Sequence, residues 1–434
     1  MTGPSVDDRA AAKKPVSARN APTVVLGLIC AMYFITYVDR VNIATAATAI
    51  KNEFAINNTQ LGLALGAFGY AYALFQIVGG FIGDRFGARR TLAVCGVVWA
   101  AATAATGLVG GLASLLVVRF ILGLGEGATF PTATRAMSNW LPQEKRGFAQ
   151  GITHSFARAG NAVTPPIVAG LMILMGWRAT FVCLGVLSIF WVIAWFFYFR
   201  DDPRRHRAIT EADLVGLPPY SGAGGKAPRI PWARLLLRML PTTFVYFCYA
   251  WTLWLYLTWL PSFFQQGYGL KLGNTAFFSF GVLFAGMIGD TVGGVLSDHL
   301  LRRTGNLLVA RRDLIVVSLL ASLVFLIPVL LFRDLVVIAL SLSAAFFCLE
   351  ITIGPIWSVP MDIAPKFSGT AAGIMNTGSA IAGFASPVIF GWLVDLTGDW
   401  HLPFAGSVGF LLLGVVLAFF MHPDQSIAEA APRA

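Results

Sequence analysis

Stretches of about 20 apolar residues, the length that crosses a bilayer as a helix, recur along nearly the whole chain of 434 residues. The runs are continuous and do not alternate, so they read as helices and not as strands of a barrel. Twelve spans are expected, at 22–50, 59–82, 91–108, 111–138, 148–171, 178–199, 241–266, 274–298, 313–332, 335–360, 371–397 and 401–421. Charged residues make up only 12% of the chain, against about a quarter in soluble domains. The expected fold class is therefore all-α and integral to the membrane.

The net charge of +10 would suit nucleic acid if the basic residues were clustered, but their placement says otherwise. Of the 31 Lys and Arg, four fall in odd-numbered loops (Lys51, Arg178, Lys271, Arg333) and four inside spans (Arg40, Arg119, Arg135, Arg158). The rest lie in the tails and even-numbered loops. This bias is the positive-inside signal, and it predicts a multi-pass protein of the inner (plasma) membrane with both termini in the cytoplasm. Residues 1–21 are polar and carry Arg9, Lys13, Lys14 and Arg19. They lack the short apolar core of a removable signal, so the first span is expected to stay as an anchor. Cys30, Cys95, Cys183, Cys248 and Cys348 all lie in apolar runs without metal-ligand spacing. Free thiols, no metal and no cofactor are expected.

The longest non-apolar stretch, 200–240, runs from Asp201 and Asp202 through Arg204, Arg205 and Arg207 to a Gly/Pro/Ser-rich segment from Gly216 to Pro231. It divides the chain into a tail (1–21), an N-terminal six-helix bundle (22–199), a cytoplasmic linker (200–240), a C-terminal six-helix bundle (241–421) and a second tail (422–434). The halves repeat one another. GGFIGDRFGARR closes the second span and GGVLSDHLLRR the eighth; Gly151-Ile152 precedes Pro165 as Gly373-Ile374 precedes Pro387; Trp177 and Trp400 end corresponding loops. Such repeats predict two pseudo-symmetric six-helix bundles with a site at the midplane between them. In the first loop motif, glycines permit close helix approach, and Asp84 is placed to accept from helix ends or from an arginine. Asp84, Arg85 and Arg89, with Asp298 of the second copy, are candidate gating residues. A plain basic turn is the competing reading of that motif. The chain has no phosphate loop, arginine ladder or ion filter, so it is not expected to hydrolyse ATP or to act as a channel.

An ionisable group at mid-bilayer costs about 2.5–3.5 kcal/mol on insertion scales and is a functional candidate by default. Asp39-Arg40 lies in YFITYVDRVNIA, with Tyr33, Tyr37 and Arg40 at helical spacing on one face. A buried guanidinium matches a carboxylate with its planar fork. Arg119 and Glu126 are seven apart in the fourth span and share a face. Glu126 sits between Gly125 and Gly127, an apolar setting that suits a carboxyl exchanging protons. Arg135 is expected to snorkel. His154, Arg158 and Asn161 form one polar stripe at i, i+4, i+7, and Arg158 makes a second cationic anchor. In the second half, Glu350, Gly354 and Trp357 share a face, Asp290 lies between Gly286 and Gly294, and Tyr246, Tyr249 and Tyr256 stripe the seventh span. For each charged group a structural ion pair is the alternative, and for the aromatic stripe plain packing.

YVDRVNIA, GEGATFP, WLPQEKRG and MDIAPKFSGTAAGIMN together resemble the anion:cation symporter family of the major facilitator superfamily. The resemblance extends over residues 22–421. It implies that Arg40 holds a substrate carboxylate, that Asp39 and Glu126 carry coupling protons, and that Tyr72, Trp357 and Asn376 line the site. Gly354, Pro355 and Ile356 stand where galactonate-type members carry hydroxyl side chains, and Glu350 and Arg158 have no counterparts there, which implies a different substrate. With Tyr37, His154 and Arg158 added to the binding set and Glu350 to the proton-coupling set, the expected function is proton-coupled symport of a small organic anion by alternating access, in a monomer. The rivals are an uncoupled facilitator or exporter, and a membrane sensor that moves nothing. No enzyme is expected, because no nucleophile, base and orienter stand together.

Overall fold

In a computed structural model, the described residues are 21–56, 58–209, 211–214, 217, 220, 230–270 and 272–427. The expected N-terminal tail, most of the segment from Gly216 to Pro231, Lys271 and the end of the chain lie outside them. Twelve membrane crossings are built from α1 (Ala21–Phe54), α2 (Asn58–Phe86), α3 (Ala88–Thr106), α4 (Leu112–Gly127), α5 (Thr129–Trp140), α6 (Arg146–Tyr198), the short α7 (Glu211–Leu214), α8 (Trp232–Ser262), α9 (Leu272–Thr304), α10 (Leu314–Leu331), α11 (Leu335–Glu350), α12 (Ile353–Ile363), α13 (Ser368–Thr397) and α14 (Leu402–Ala418). α6 holds two crossings, parted at Gly176, whose φ of 76° is open to glycine and costly for other residues. α8 starts at Trp232, nine residues ahead of the seventh span read from hydropathy. The outward faces carry large bare apolar side chains such as Leu74, Ile173, Leu174 and Phe277, a surface that suits acyl chains and not water.

Two crossings are broken at the same relative place. α4 passes to α5 through Ala128, and α11 passes to α12 through Ile351 and Thr352. Pro131 and Pro355 each stand third in the second helix, where the missing N–H and ring bulk deprive the carbonyl four residues back of its donor. Glu126 and Glu350 each precede that proline by five residues. The two glutamates are thus pseudo-symmetric counterparts, one in each half. Glu350 and Trp357, expected on one helix face, lie on either side of that pause, and both meet α8, at Tyr249 and Tyr246.

Within the first half α1 and α3 pack on α6 and α2 on α4; within the second, α8 packs on α13 and α14, and α9 on α11. The halves meet where α6 crosses α9 and α2 crosses α13. Gly151 lies against the Asp290 carbonyl and Gly80 against the Gly369 carbonyl, so closely that a Cβ on either would collide. These approaches bring the polar residues of α1, α4, α6, α9, α11 and α13 around one central region.

Candidate functional site

On the face where α1 begins and α14 ends, two aspartates fasten the halves. Asp84, at the end of α2, accepts from Gly369 N (3.0 Å), Thr370 N (2.6 Å) and Thr370 Oγ1 (2.6 Å) in the first turn of α13. Asp298, near the end of α9, accepts from Gly147 N (2.9 Å) and Phe148 N (2.7 Å) in the first turn of α6. A carboxylate at a helix N-terminus meets unpaired N–H groups and the positive end of the dipole. Arg135 Nε stands 3.7 Å from Asp84 Oδ1 and its Nη1 donates to the Pro365 carbonyl at 2.6 Å. Arg135 is therefore buried in the latch, contrary to the snorkelling expected of it, because α5 meets the start of α13 before it reaches solvent. Asp362 receives Gln143 Nε2 (3.0 Å), Arg146 Nη1 (3.1 Å) and Arg311 Nε (3.1 Å). Arg85 and Arg89 take other places. Arg85 is exposed over Phe86, and Arg89 donates Nε–H to the Phe196 carbonyl of its own half and its backbone N–H to the carboxylate of Asp201, at the start of the linker.

At the centre, Arg40 of α1 donates Nε–H to Glu126 Oε2 of α4 at 2.6 Å. Its guanidinium carbon lies 5.0 Å from the ring centre of Tyr37, 5.3 Å from Phe68, 4.5 Å from Tyr72 and 5.0 Å from Phe130. Each such contact contributes about 0.5–2 kcal/mol when desolvated, so the cage holds a cation that would otherwise be costly there. Among the described residues, Nη2 of Arg40 and Oε1 of Glu126 have no hydrogen-bond partner. Asp39 does not share this pair. Adjacent helical residues do not face each other, and Asp39 turns toward α6, where Ser188 Oγ donates to Oδ2 at 3.4 Å; Arg119 Nη1 is 3.5 Å from its backbone carbonyl. The carboxylate that engages Arg40 is thus Glu126.

A second arginine lies across the interface. Arg158 of α6 donates Nη2 to both oxygens of Glu350 (3.2 and 3.3 Å) and Nη1 to the Tyr37 hydroxyl at 3.4 Å, while its Nε stands 3.9 Å from Asp290 Oδ2. Tyr249 O–H donates to Glu350 Oε2 at 2.7 Å. Tyr37 therefore bridges the two cations, its ring under Arg40 and its hydroxyl on Arg158. His154 rests among Tyr33, Phe130 and Trp357; its Nδ1 lies 2.8 Å from the Gln150 carbonyl, leaving Nε2 as an unpaired acceptor. Trp357 Nε1 donates to Tyr246 O–H at 3.0 Å. Asn376 of α13 donates to Tyr72 O–H (3.3 Å) and Gln76 Oε1 (2.8 Å) of α2. Gly354 lies against Gly294 and serves close packing. Sequence reasoning did not single out Phe68, Gln76 or Phe130, though Phe130 lies inside the GEGATFP motif; nor did it single out Arg146, Arg311 and Asp362.

Two helical bundles meeting at a charged, aromatic-lined midplane define a multi-pass membrane transporter, not an enzyme. The chain belongs to the Major Facilitator Superfamily, whose family description matches residues 29–387. It is 47% identical over 402 residues to a probable sulfoacetate transporter of Cupriavidus necator, covering 92% of this chain and 94% of that one. It is 31% identical over 394 residues to a hexuronate transporter of Bacillus subtilis (89% of each chain), and 31% over 388 residues to a D-galactonate transporter of Escherichia coli (85% and 89%). Those relatives bear out the resemblance to the anion:cation symporters. The fold is also that of a proton:xylose symporter, with a TM-score of 0.73 at 16% identity over 93% of this chain and 96% of the other.

Proposed function

We propose that this protein is a proton-coupled symporter of short organic anions, working by alternating access in the inner membrane with the latched face in the cytoplasm and acting as a monomer. The observation that carries the reading is Arg40: a caged guanidinium with one edge on a carboxylate and Nη2 unpartnered. An arriving carboxylate or sulfonate takes the guanidinium fork. Glu126, deprived of its cation in a dry site, then takes up a proton. Proton and anion binding favour one another, as linkage requires. When the halves rock and the proton leaves toward the alkaline side, Glu126 recaptures Arg40 and expels the anion. Asp39 and Glu350 belong to the same proton-exchanging set, and Tyr37, Tyr72, His154, Arg158, Trp357 and Asn376 bound the substrate. Asp84 and Asp298 hold the cytoplasmic gate.

The Tyr37 bridge between Arg40 and Arg158 favours a short substrate with two anionic ends. Sulfoacetate, named for the relative at 47% identity, joins a carboxylate and a sulfonate through one carbon. The test is uptake of labelled sulfoacetate, hexuronate and acetate into proteoliposomes under an inward proton gradient. Accumulation of the dianion above the other two, abolished by an uncoupler, supports the reading. Equal equilibration of all three with no response to the gradient contradicts it.

A further inference from the structure

Asp290, on α9, is fully buried, and among the described residues no N–H group or hydroxyl donates to either of its carboxylate oxygens. Its carboxyl lies against that of Glu350 from α11. Arg158 from α6 is the cation facing both, with two hydrogen bonds to Glu350 and a 3.9 Å approach to Asp290. Tyr249 from α8 gives its hydroxyl to Glu350. From the other elements packed on α9, α12 presents Asp362 and the turn before α10 presents Arg311, and these two are paired with each other at the latch. One guanidinium is therefore set against two carboxyls, and of the two only Glu350 receives its hydrogen bonds.

A carboxylate in a dry interior without a donor on either oxygen is costly enough that the group takes a proton instead. We propose that Asp290 and Glu350 form a second proton site, in which Asp290 holds a resident proton and Glu350 takes up another whenever Arg158 turns away from it. Glu350 occupies the place in the second half that Glu126 occupies in the first, five residues before the proline that breaks its span. Each faces an arginine that an anion can capture. In the reading above, on which this extension rests, the second anionic end of the substrate draws Arg158 away and a second proton enters with it.

The resident proton is testable without any substrate, so its failure is separable from failure of the transport reading. The readout is the infrared carbonyl stretch of protonated carboxyls in purified protein reconstituted in lipid at neutral pH, compared between variants. Asp290→Asn should remove one protonated-carboxyl band from the wild-type spectrum and leave the fold intact, since the amide replaces a neutral acid of the same shape. Arg158→Gln, which mimics the departed guanidinium, should add one protonated carboxyl, and Arg158→Gln with Glu350→Gln should lose it again. A spectrum unchanged by Asp290→Asn, or an Asp290→Asn protein that cannot fold, overturns the resident proton. An Arg158→Gln spectrum with no added band overturns the uptake by Glu350.

Discussion

Arg40 reaches from α1 to α4 and donates its Nε–H to Glu126 Oε2 at 2.6 Å, while its Nη2 has no hydrogen-bond partner among the described residues in a cage of four aromatic rings. In the proposed cycle, one cation is shared between a carboxylate of the protein and an anion from solution. That sharing is what couples a proton to a solute in the proposed cycle.

Arg40→Lys retains the charge and loses the fork. Losing one charge-assisted hydrogen bond costs about 1.5–3 kcal/mol, or roughly 10- to 100-fold in Kd. Calorimetric titration of the folded variant with sulfoacetate should show that loss. An unchanged Kd would remove Arg40 from the site.

In the proposed cycle, Arg158 separates substrates by charge count. Arg158→Gln should weaken a dianion such as sulfoacetate by about tenfold or more and leave a monoanion such as acetate within about twofold, because only the former has an end for the second cation. Competition uptake with both ligands in the same proteoliposomes checks it. Equal losses would return Arg158 to holding the two halves together.

The latch makes a conformational prediction. Asp84 and Asp298 each hold the first turn of a helix from the opposite half. Neutralising both, as Asp84→Asn with Asp298→Asn, weakens each end by about 1.5 kcal/mol and shifts the closed-to-open ratio roughly 100-fold. Spin labels at Arg85 and Lys366, exposed positions on opposite halves, should report longer distances in the double variant. An unaltered distance distribution would show that other contacts keep this face shut.

The twelve crossings were legible because lipid admits few solutions, and continuous apolar runs of span length fold as helices whatever their detail. Helix breaks were not, since the pauses at Ala128 and Ile351-Thr352 are shorter than any hydropathy window. The sequence also singled out Arg40, Glu126, Arg158 and Glu350, because a charge in an apolar run stands out. Their pairing could not be read. Asp39 adjoins Arg40 in the chain, yet helix geometry turns it toward Ser188, and Glu126, eighty-six residues from Arg40, takes the contact. The latch partners Arg146, Arg311 and Asp362 were hidden for a different reason: near helix ends, charged residues are ordinary, and only the closed arrangement of the halves shows them buried.

The central claim is that Glu126 trades Arg40 for a proton during each cycle. Glu126→Gln fixes the neutral state of that side chain, so the decisive measurement pairs gradient-driven uptake with counterflow exchange of labelled sulfoacetate in one preparation of proteoliposomes. The account predicts that the variant exchanges labelled for unlabelled anion and fails to accumulate it against a gradient, because the proton-release step is gone. Full proton-driven accumulation by the Glu126→Gln protein would contradict it.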